Sequence, residues 1–460
     1  MLRKLTLVFF ILLAGGAAAH GNLKLINGRW YDGSGFVPKT MYSVEGVLRT
    51  SFDGQARVVD LGGRFVIPPF GDAHNHAFGD DTNLERELAR FLRAGVFYVK
   101  NPNNSASLAN AVRPHVNKPE SVDVIYANGG LTKAGGHPSQ IYAPLGERFA
   151  DAYVTVDSEA ELAAKWAGIL AGRPDFLKIY LQHSEDAATN RGLKLALLPA
   201  ILERAHRDGL TVTAHVTSAA DFHAAVAAGV DEIAHLPLGT ITEADATLAA
   251  RKKITVVTTL LSHRPDEGFK DQRANLTLLE RAGVNVVLGV DSGHLVVEEA
   301  HAVGQLGVYT MPELLHLLVE TTPRTIFPKR KIGRLDDGYE ASLLALDGNP
   351  LEDPSAMGRI VTRIKQGHLL EVPPDTVTEE QRRNAEGYAL LNHVRFDDAI
   401  ALFRENTAKF PQSSNAWDSL GEAYMGAGKR DLAIESYRKA LELNPKNTNA
   451  EAMLKKLRGE

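Results

Sequence analysis

The chain has 460 residues, of which 44% are hydrophobic and 23% are charged, with 51 basic and 56 acidic side chains. This length allows about two to four domains and a large buried core. The net charge of -5 is not the strongly basic balance that is typical of nucleic-acid-binding domains. Because the chain has no cysteine, disulfides, thiolate ligands and cysteine nucleophiles are excluded, and any metal must be held by His, Asp, Glu or Lys.

The N-terminus has the pattern of a secretory signal. Arg3 and Lys4 precede an apolar run over residues 5–13, and small residues follow up to Ala19. This order is typical of a cleaved signal peptide, and the run is shorter than the ~20 residues that a spanning helix needs. We therefore predict that residues 1–19 are removed and that the protein is secreted to a bacterial periplasm, with no membrane span after cleavage. An uncleaved anchor is the alternative.

Residues 68–334 alternate between strand-like and helix-like runs, a pattern typical of βαβ units and a parallel sheet. Counting the stretch 66–76 as the first, eight strands are predicted, the others being 96–100, 122–127, 176–181, 211–215, 232–235, 254–258 and 284–289. Eight such units in roughly 260 residues match a (β/α)8, TIM-like barrel. The flanks, residues 20–67 and 335–375, have short strands and glycine turns, and we predict that they pair into one small composite β-domain.

Residues 380–460 carry a helical repeat. The positions that a 34-residue helix–turn–helix repeat requires are occupied by Trp417, Leu420, Gly421, Tyr424, Ala433, Tyr437, Ala440 and Pro445. One period earlier, the equivalent positions hold Gly387, Leu390, Ala399, Phe403 and Pro411, with Glu386 where the motif has Leu. This segment resembles two tetratricopeptide repeats followed by a cap helix over 449–457. Because about three repeats are needed to stack stably alone, we expect the pair to pack on the main domain or on a partner.

Polar side chains stand at the carboxyl ends of five predicted barrel strands. They are His74 and His76 after the first strand, Lys178 and Tyr180 in the fourth, His215 in the fifth, His235 in the sixth and Asp291 after the eighth. Since the chemistry of such barrels sits at this end of the strands, we expect these groups to converge at one mouth.

At these residues the sequence resembles the amidohydrolase superfamily, in particular its imidazolonepropionase-like and metal-dependent dipeptidase branch. The stretch 64–76 resembles the family's first strand, with Pro69 where Gly is usual. The stretch 341–351 resembles the closing segment of its β-domain, with Ser342 where an acidic residue is usual. The resemblance covers about residues 23–375.

The resemblance implies a binuclear metal centre. His74, His76 and Asp291 would hold one divalent ion, His215 and His235 would hold the second, and Lys178 would bridge the two as a carbamate formed with CO2. Zinc suits these ligands best, although manganese, cobalt or iron are also accepted by such sites. A hydroxide bridging the two metals would attack the substrate carbonyl, and Asp291 would pass the water proton to the leaving amine.

Other residues are predicted to line the same mouth. His137, in a glycine-rich loop after the third strand, is a candidate substrate contact, and Tyr180 is a candidate donor to an oxyanion. His263 and His294 are weaker candidates of the same kind. Asp72 is predicted to be a structural hydrogen-bonding residue beside the site and not a ligand.

We therefore predict a secreted metal-dependent hydrolase that cleaves the amide or peptide bond of a dipeptide or an N-acyl amino acid. Lactone, phosphotriester or cyclic-amide hydrolysis on the same ligands stays open. Deamination is disfavoured, because Ser218 stands where deaminases of the superfamily tend to have Glu, and because Lys178 is present. An alternative hypothesis is that the protein is not an enzyme but an interaction module. Its barrel would then be inert, and its repeats would bind a protein partner or mediate self-association.

Overall fold

A computed structural model of the protein describes residues 21–183, 190–262, 269–291, 293–374, 378–392 and 395–458. The predicted signal peptide and His263 lie outside these ranges. None of the helices within them combines the length and the apolar character that crossing a bilayer requires.

The central part of the chain is a parallel barrel whose strands follow the predicted order. They are Phe70–Asp72, Val96–Asn101, Asp123–Tyr126 continued by Gly130–Thr132, Leu177–Leu181, Val212–Val216, Glu232–Ala234, Thr255–Val257 and Asn285–Val287. The third strand is in two parts, of which the first pairs with the second strand and the second with the fourth. The amide of Ala73 donates to Leu288 O at 2.9 Å, which joins the first strand to the last. A short strand, Tyr153–Thr155, pairs with Gly130–Thr132 outside this series.

Helices follow the strands and cover the barrel. They are Leu84–Arg93, Ala106–Val112, Ser139–Tyr142, Glu159–Ala171, Leu198–Arg207, Ala219–Ala228, Glu243–Arg251, Phe269–Arg281, Val296–Gln305, Met311–His316 and Thr322–Ile326. Ser158, Ser218 and Thr242 each accept a hydrogen bond from a backbone amide in the first turn, which fixes where three of these helices begin. Strands such as Leu177–Leu181 are buried along their whole length, as expected for a parallel sheet covered on both faces.

The two flanks of the barrel form one eight-stranded sheet. Its strands are Leu23–Tyr31, Phe36–Val44, Val47–Arg49, Arg57–Asp60, Phe65–Ile67, Leu343–Leu346, Ile360–Lys365 and His368–Leu369. The strand Phe65–Ile67 pairs parallel with Leu23–Tyr31 and antiparallel with Leu343–Leu346, so segments from before and after the barrel meet there. Because this strand leads directly into the first barrel strand, the sheet fixes the chain just before His74.

The C-terminal part is an array of helices with its own hydrophobic core. The helices are Glu379–Asn392, Phe396–Lys409, Ser414–Gly426, Arg430–Leu443 and Thr448–Arg458. A Cβ at Gly421 would lie 2.8 Å from the ring of Tyr437, so only glycine allows the two helices to approach this closely. The predicted fold class, an α/β barrel with a flanking sheet and a helical C-terminal pair, is confirmed.

Candidate metal centre

His74, His76 and Asp291 meet at the mouth of the barrel. Asp291 Oδ1 lies 3.3 Å from His74 Nε2 and 3.0 Å from His76 Nε2. One ligand atom of each residue can be chosen so that all three lie within 4.8 Å of one another. Around a tetrahedral zinc ion with bonds of 2.0–2.1 Å, neighbouring ligand atoms are about 3.3 Å apart. The three side chains therefore already have the spacing that a metal ion requires.

His235 and His215 extend this cluster. His235 Nδ1 lies 3.7 Å from Asp291 Oδ2, and His235 Nε2 lies 2.8 Å from His215 Nδ1. The rings of His74 and His235 have centroids 4.8 Å apart. The four histidines and Asp291 thus form one continuous group, with Asp291 between the ends of the first and sixth strands.

Lys178 belongs to the same group and is only 2% exposed. Its Nζ is buried and makes no hydrogen bond to any residue that the structure describes. Burial lowers the pKa of Lys178 to about 7, although the charges of Asp291 and Glu232 oppose this shift. A substantial fraction of the amine is therefore neutral near pH 7, and a neutral amine is the form that can react with CO2.

The charge states of the other groups also suit a metal site. Burial lowers the pKa of His74 to about 3 and that of His215 well below its ordinary value. Burial alone would raise the pKa of Asp291, but the surrounding histidines hold it well below its usual range. At neutral pH the site therefore offers neutral imidazoles and a carboxylate, the forms that coordinate metals. His74 Nδ1 and His215 Nε2 are buried without a hydrogen-bond partner among the described residues, so the donor set fits a divalent ion.

Unusual backbone conformations direct two of these side chains into the mouth. His235, Thr259 and Asp291 have φ values of +80°, +56° and +50° at the ends of the sixth, seventh and eighth strands. Such angles are costly for residues other than glycine and cluster at functional sites. Glu232 contacts Lys100 inside the barrel, so simple alternation would direct His235 outward. The left-handed turn at His235 reverses that direction.

Hydrogen bonds from neighbouring residues hold the ligand candidates in place. His76 Nδ1 is 2.8 Å from Asn103 O, and His235 Nδ1 is 2.8 Å from Thr259 Oγ1. Partners of this kind fix ring orientation in metal sites. Asp72 accepts hydrogen bonds from the amides of His74 and Val290 at 3.1 and 3.3 Å, which agrees with the structural role predicted for it.

Asn103 and Thr259 were missed by the sequence prediction. Asn103 follows the second barrel strand, to which no functional residue was assigned, and Thr259 follows the seventh, for which only His263 was considered. A polar residue at such a position is the signal that could have found them.

Three aromatic or imidazole side chains line one side of the mouth. The His137 ring stacks on His215 with centroids 4.8 Å apart and meets the ring of Tyr180 edge-on at 5.1 Å. Burial raises the pKa of Tyr180 well above its usual value, so its hydroxyl remains a donor. Tyr142, which the sequence prediction also missed, lies near enough for the charge of Asp291 to add to the effect of burial in raising its pKa.

The structure does not place His294 with the ligand candidates. Its Nδ1 lies 3.4 Å from Glu298 Oε2, one turn further along the chain. The contact with Glu298 raises the pKa of His294 above its ordinary value, although burial acts in the opposite direction. His294 is therefore directed towards the helix that follows the eighth strand.

Comparisons with known proteins agree with the two resemblances. A family model of the tetratricopeptide repeat matches residues 414–447. Ochratoxinase from Aspergillus niger is 30% identical over 211 residues, which cover 41% of this chain and 43% of that protein. The match thus spans less than half the length of the curated relative.

Solved structures extend the likeness to most of the chain. The crystal structure of the A. niger ochratoxinase has a TM-score of 0.63 and 18% identity, covering 77% of this chain and 96% of that one. A prolidase complexed with N-methylphosphonate-L-proline has a TM-score of 0.62 and 21% identity, covering 76% and 100%. The barrel and its flanking sheet therefore have the amidohydrolase fold, and residues 414–447 form a tetratricopeptide repeat.

Proposed function

We propose that the protein is a metal-dependent amidohydrolase that cleaves the amide bond of a dipeptide or an N-acyl amino acid. The observation that carries this proposal is the cluster of His74, His76, Asp291, His215 and His235, together with the buried amine of Lys178, which has no hydrogen-bond partner among the described residues. An ochratoxinase, a prolidase and an Xaa-Pro dipeptidase share this fold or part of this sequence. The activities for which these proteins are named support amide hydrolysis as the reaction class.

The chain's own residues divide into two sets of ligands. His74, His76 and Asp291 would hold one divalent ion, zinc, which suits imidazole and carboxylate ligands. His215 and His235 would hold a second, with Lys178, carbamylated by CO2, between the two. When bound, these ions would polarise the substrate carbonyl and lower the pKa of water.

Three side chains would then act on the substrate and its protons. The histidines keep the Asp291 carboxylate deprotonated. One of its oxygens would accept a proton from the attacking water, and Asp291 would then return this proton to the nitrogen of the leaving amine. The Tyr180 hydroxyl stays protonated because it is buried, and it donates a hydrogen bond to the substrate carbonyl oxygen. His137, stacked over His215, contacts the substrate from the same side and excludes water.

The test is a hydrolysis assay on the full-length mature protein, loaded with zinc and supplied with bicarbonate. The substrates are Xaa-Pro dipeptides, other dipeptides and N-acyl amino acids, with a lactone, a phosphotriester and a cyclic amide as comparisons. The Asp291→Asn variant is the control for contaminating activity. Cleavage confined to the amide substrates and absent in the variant supports the proposal. Cleavage confined to the lactone, phosphotriester or cyclic amide overturns it.

We also propose the organisation and location expected from the sequence. Residues 20–67 with 335–375 would form the composite β-domain, 68–334 the catalytic barrel and 380–460 the repeats. Residues 1–19 would direct export to a bacterial periplasm. Fractionation of cells that express the full chain, with sequencing of the mature N-terminus, tests this: a cytosolic protein that retains residues 1–19 contradicts it.

A further inference from the structure

The C-terminal helices contact the barrel at its mouth. Arg395, at the start of the helix Phe396–Lys409, donates from Nη1 to Ser262 O at 3.2 Å. Its Nε donates to Asp398 Oδ2 at 2.8 Å, and this second bond fixes the direction of the guanidinium group. Ser262 ends the turn Leu260–Ser262, which follows the seventh barrel strand. The repeats therefore contact the barrel at the end where the candidate metal centre lies.

Hydrogen bonds lead from this contact to a candidate metal ligand. Ser262 Oγ donates to Thr259 O at 2.8 Å, and Thr259 Oγ1 is 2.8 Å from His235 Nδ1. Thr259 has a left-handed backbone, a conformation that the surrounding structure must impose. The orientation of the His235 ring thus depends on a turn whose far end is held by a residue of the repeats.

The near end of the same turn is held by the barrel itself. Glu299, which is fully buried, accepts from Thr258 Oγ1 at 2.6 Å and from the amides of Leu260 and Leu261 at 2.7 and 3.0 Å. These bonds fix the first two residues of the turn. Arg395 contacts Ser262, the residue that Glu299 does not reach.

Electrostatic interactions also connect the first repeat with the barrel. Glu386 stands where the motif has Leu, and it is half-buried close enough to His294 and Glu298 to feel their charges. A Leu at this position would pack within the repeat, whereas Glu386 interacts with charged groups at the start of the barrel helix Val296–Gln305. The hydrophobic cores of the barrel and of the repeats are separate, so polar contacts of this kind define the junction.

We propose that the repeats dock on the mouth of their own barrel, and that Arg395 is a positioning residue through which they hold the turn that orients His235. The inference rests on the proposed function only where it concerns the metal. The docking surface consists of Arg395 on the repeats and of the turn Leu260–Ser262 on the barrel. A distant surface of the repeats could thereby act on the active site without supplying a residue to it.

The first test measures amide hydrogen exchange in the full chain. Arg395→Ala should raise the exchange rate of the Leu260–Ser262 amides at least threefold, because the turn loses its outer support. Glu386→Leu restores the motif residue, so the repeats should be as stable as before, while exchange rises in the first turn of Val296–Gln305. Arg404→Ala, an exposed residue of the same helix as the Arg395 contact, is the matched control and should change neither rate.

The second test measures zinc affinity by competition with a chromophoric chelator. Loss of a residue that contacts a metal ligand directly typically costs 10–100-fold in affinity. Arg395 acts two steps further away, so we expect Arg395→Ala to weaken binding roughly threefold, with partial recovery in Arg395→Lys, which keeps a donor for Ser262 O. Wild-type exchange at Leu260–Ser262 in Arg395→Ala would overturn the docking proposal. Wild-type affinity in that variant would overturn the positioning role. A wild-type protein that binds no zinc would instead refute the proposed function, while the exchange test would still decide the docking.

Discussion

His76 Nε2 lies 3.0 Å from Asp291 Oδ1, although the two residues come from the first and the last strand of the barrel. Barrel closure creates this relationship. The amides of Val290 and Asp291 both donate to His74 O, at 3.1 and 2.8 Å, so backbone hydrogen bonds fix the chain on both sides of the pair. A Cβ at Gly289 would lie 2.8 Å from His74 N, which means that the eighth strand can approach the first this closely only with glycine there.

Replacing Asp291 by Asn removes the carboxylate and keeps its shape. The variant should lose metal, because an amide is a weak ligand beside His74 and His76, and it should lose at least about a hundredfold in kcat because no proton acceptor remains. Metal analysis and an amide hydrolysis assay measure both effects. Asp431→Asn, at an exposed carboxylate of the repeats, is the control. Full metal content in Asp291→Asn would remove this residue from the ligand set.

Replacing Lys178 by Ala tests the bridging role. The buried amine has no hydrogen-bond partner among the residues described, so its loss breaks no hydrogen bond and removes only its position over the Tyr180 ring, 5.6 Å from the centroid. We expect the loss of at least one metal and of most of the activity, together with the loss of a carbamate signal in 13C NMR after incubation with labelled bicarbonate. Lys446→Ala, at an exposed lysine, should retain all three properties. A fully active Lys178→Ala protein is incompatible with a binuclear mechanism.

Replacing His137 by Ala should leave the metal content unchanged and lower kcat by about 10- to 100-fold. The ring stacks on His215 and its Nδ1 lies 2.7 Å from Gln140 Nε2, so it is held beside the ligand candidates by its own partners. A positioned acid–base or donor group typically contributes at least this much. Metal analysis beside steady-state kinetics separates the two roles. If metal is lost from the variant, His137 belongs to the ligands.

The sequence predicted the barrel well because its strands are short, buried and largely apolar runs that alternate with helical stretches and are followed by recognisable polar residues. It located His74, His76, His215 and His235 near strand ends from the pattern alone, whereas Lys178 is the second residue of the strand Leu177–Leu181. It could not show that His235 depends on a left-handed turn, because a positive φ at a residue other than glycine has no sequence signature. It also missed Asn103 and Thr259, whose roles come from hydrogen bonds to His76 and His235, 27 and 24 positions earlier and each at the end of the preceding barrel strand.

For the contact between the repeats and the barrel, the sequence predicted only that the repeats would pack on the main domain or on a partner. It did not identify the residues of the contact. Glu386 was visible as a departure from the motif. Its neighbours, His294 and Glu298, could be identified only once the barrel helix Val296–Gln305 was placed beside it.

His183 predicts a pH-dependent contribution to stability. Its Nδ1 lies 2.7 Å from Asp221 Oδ1 and its Nε2 lies 2.9 Å from Leu193 O, so both ring nitrogens face acceptors. The contact with Asp221 raises the pKa of His183 above its ordinary value of 6.5. The stabilisation is therefore fully present below pH 6.5 and is lost as the pH rises through the raised value.

The His183→Gln variant tests this dependence. It should lower the free energy of unfolding by about 1–2 kcal/mol at acidic pH and by progressively less as the pH rises through the raised pKa of the wild-type imidazole. Urea denaturation at a series of pH values gives the difference between the two proteins. His115→Gln, at an exposed histidine, should show no such trend. A difference that does not vary with pH would mean that His183 is not charged in the folded protein.

The central claim is a binuclear metal centre, and the most direct test is the number of metal ions per chain. The mature protein should be purified with bicarbonate and without chelator, and its metal content measured by mass spectrometry. The account predicts about two divalent ions per chain, falling in Asp291→Asn and in Lys178→Ala. One ion per chain would contradict the bridging role of Lys178. A protein that binds none, even after incubation with zinc and bicarbonate, would show that the barrel is not a metal-dependent hydrolase.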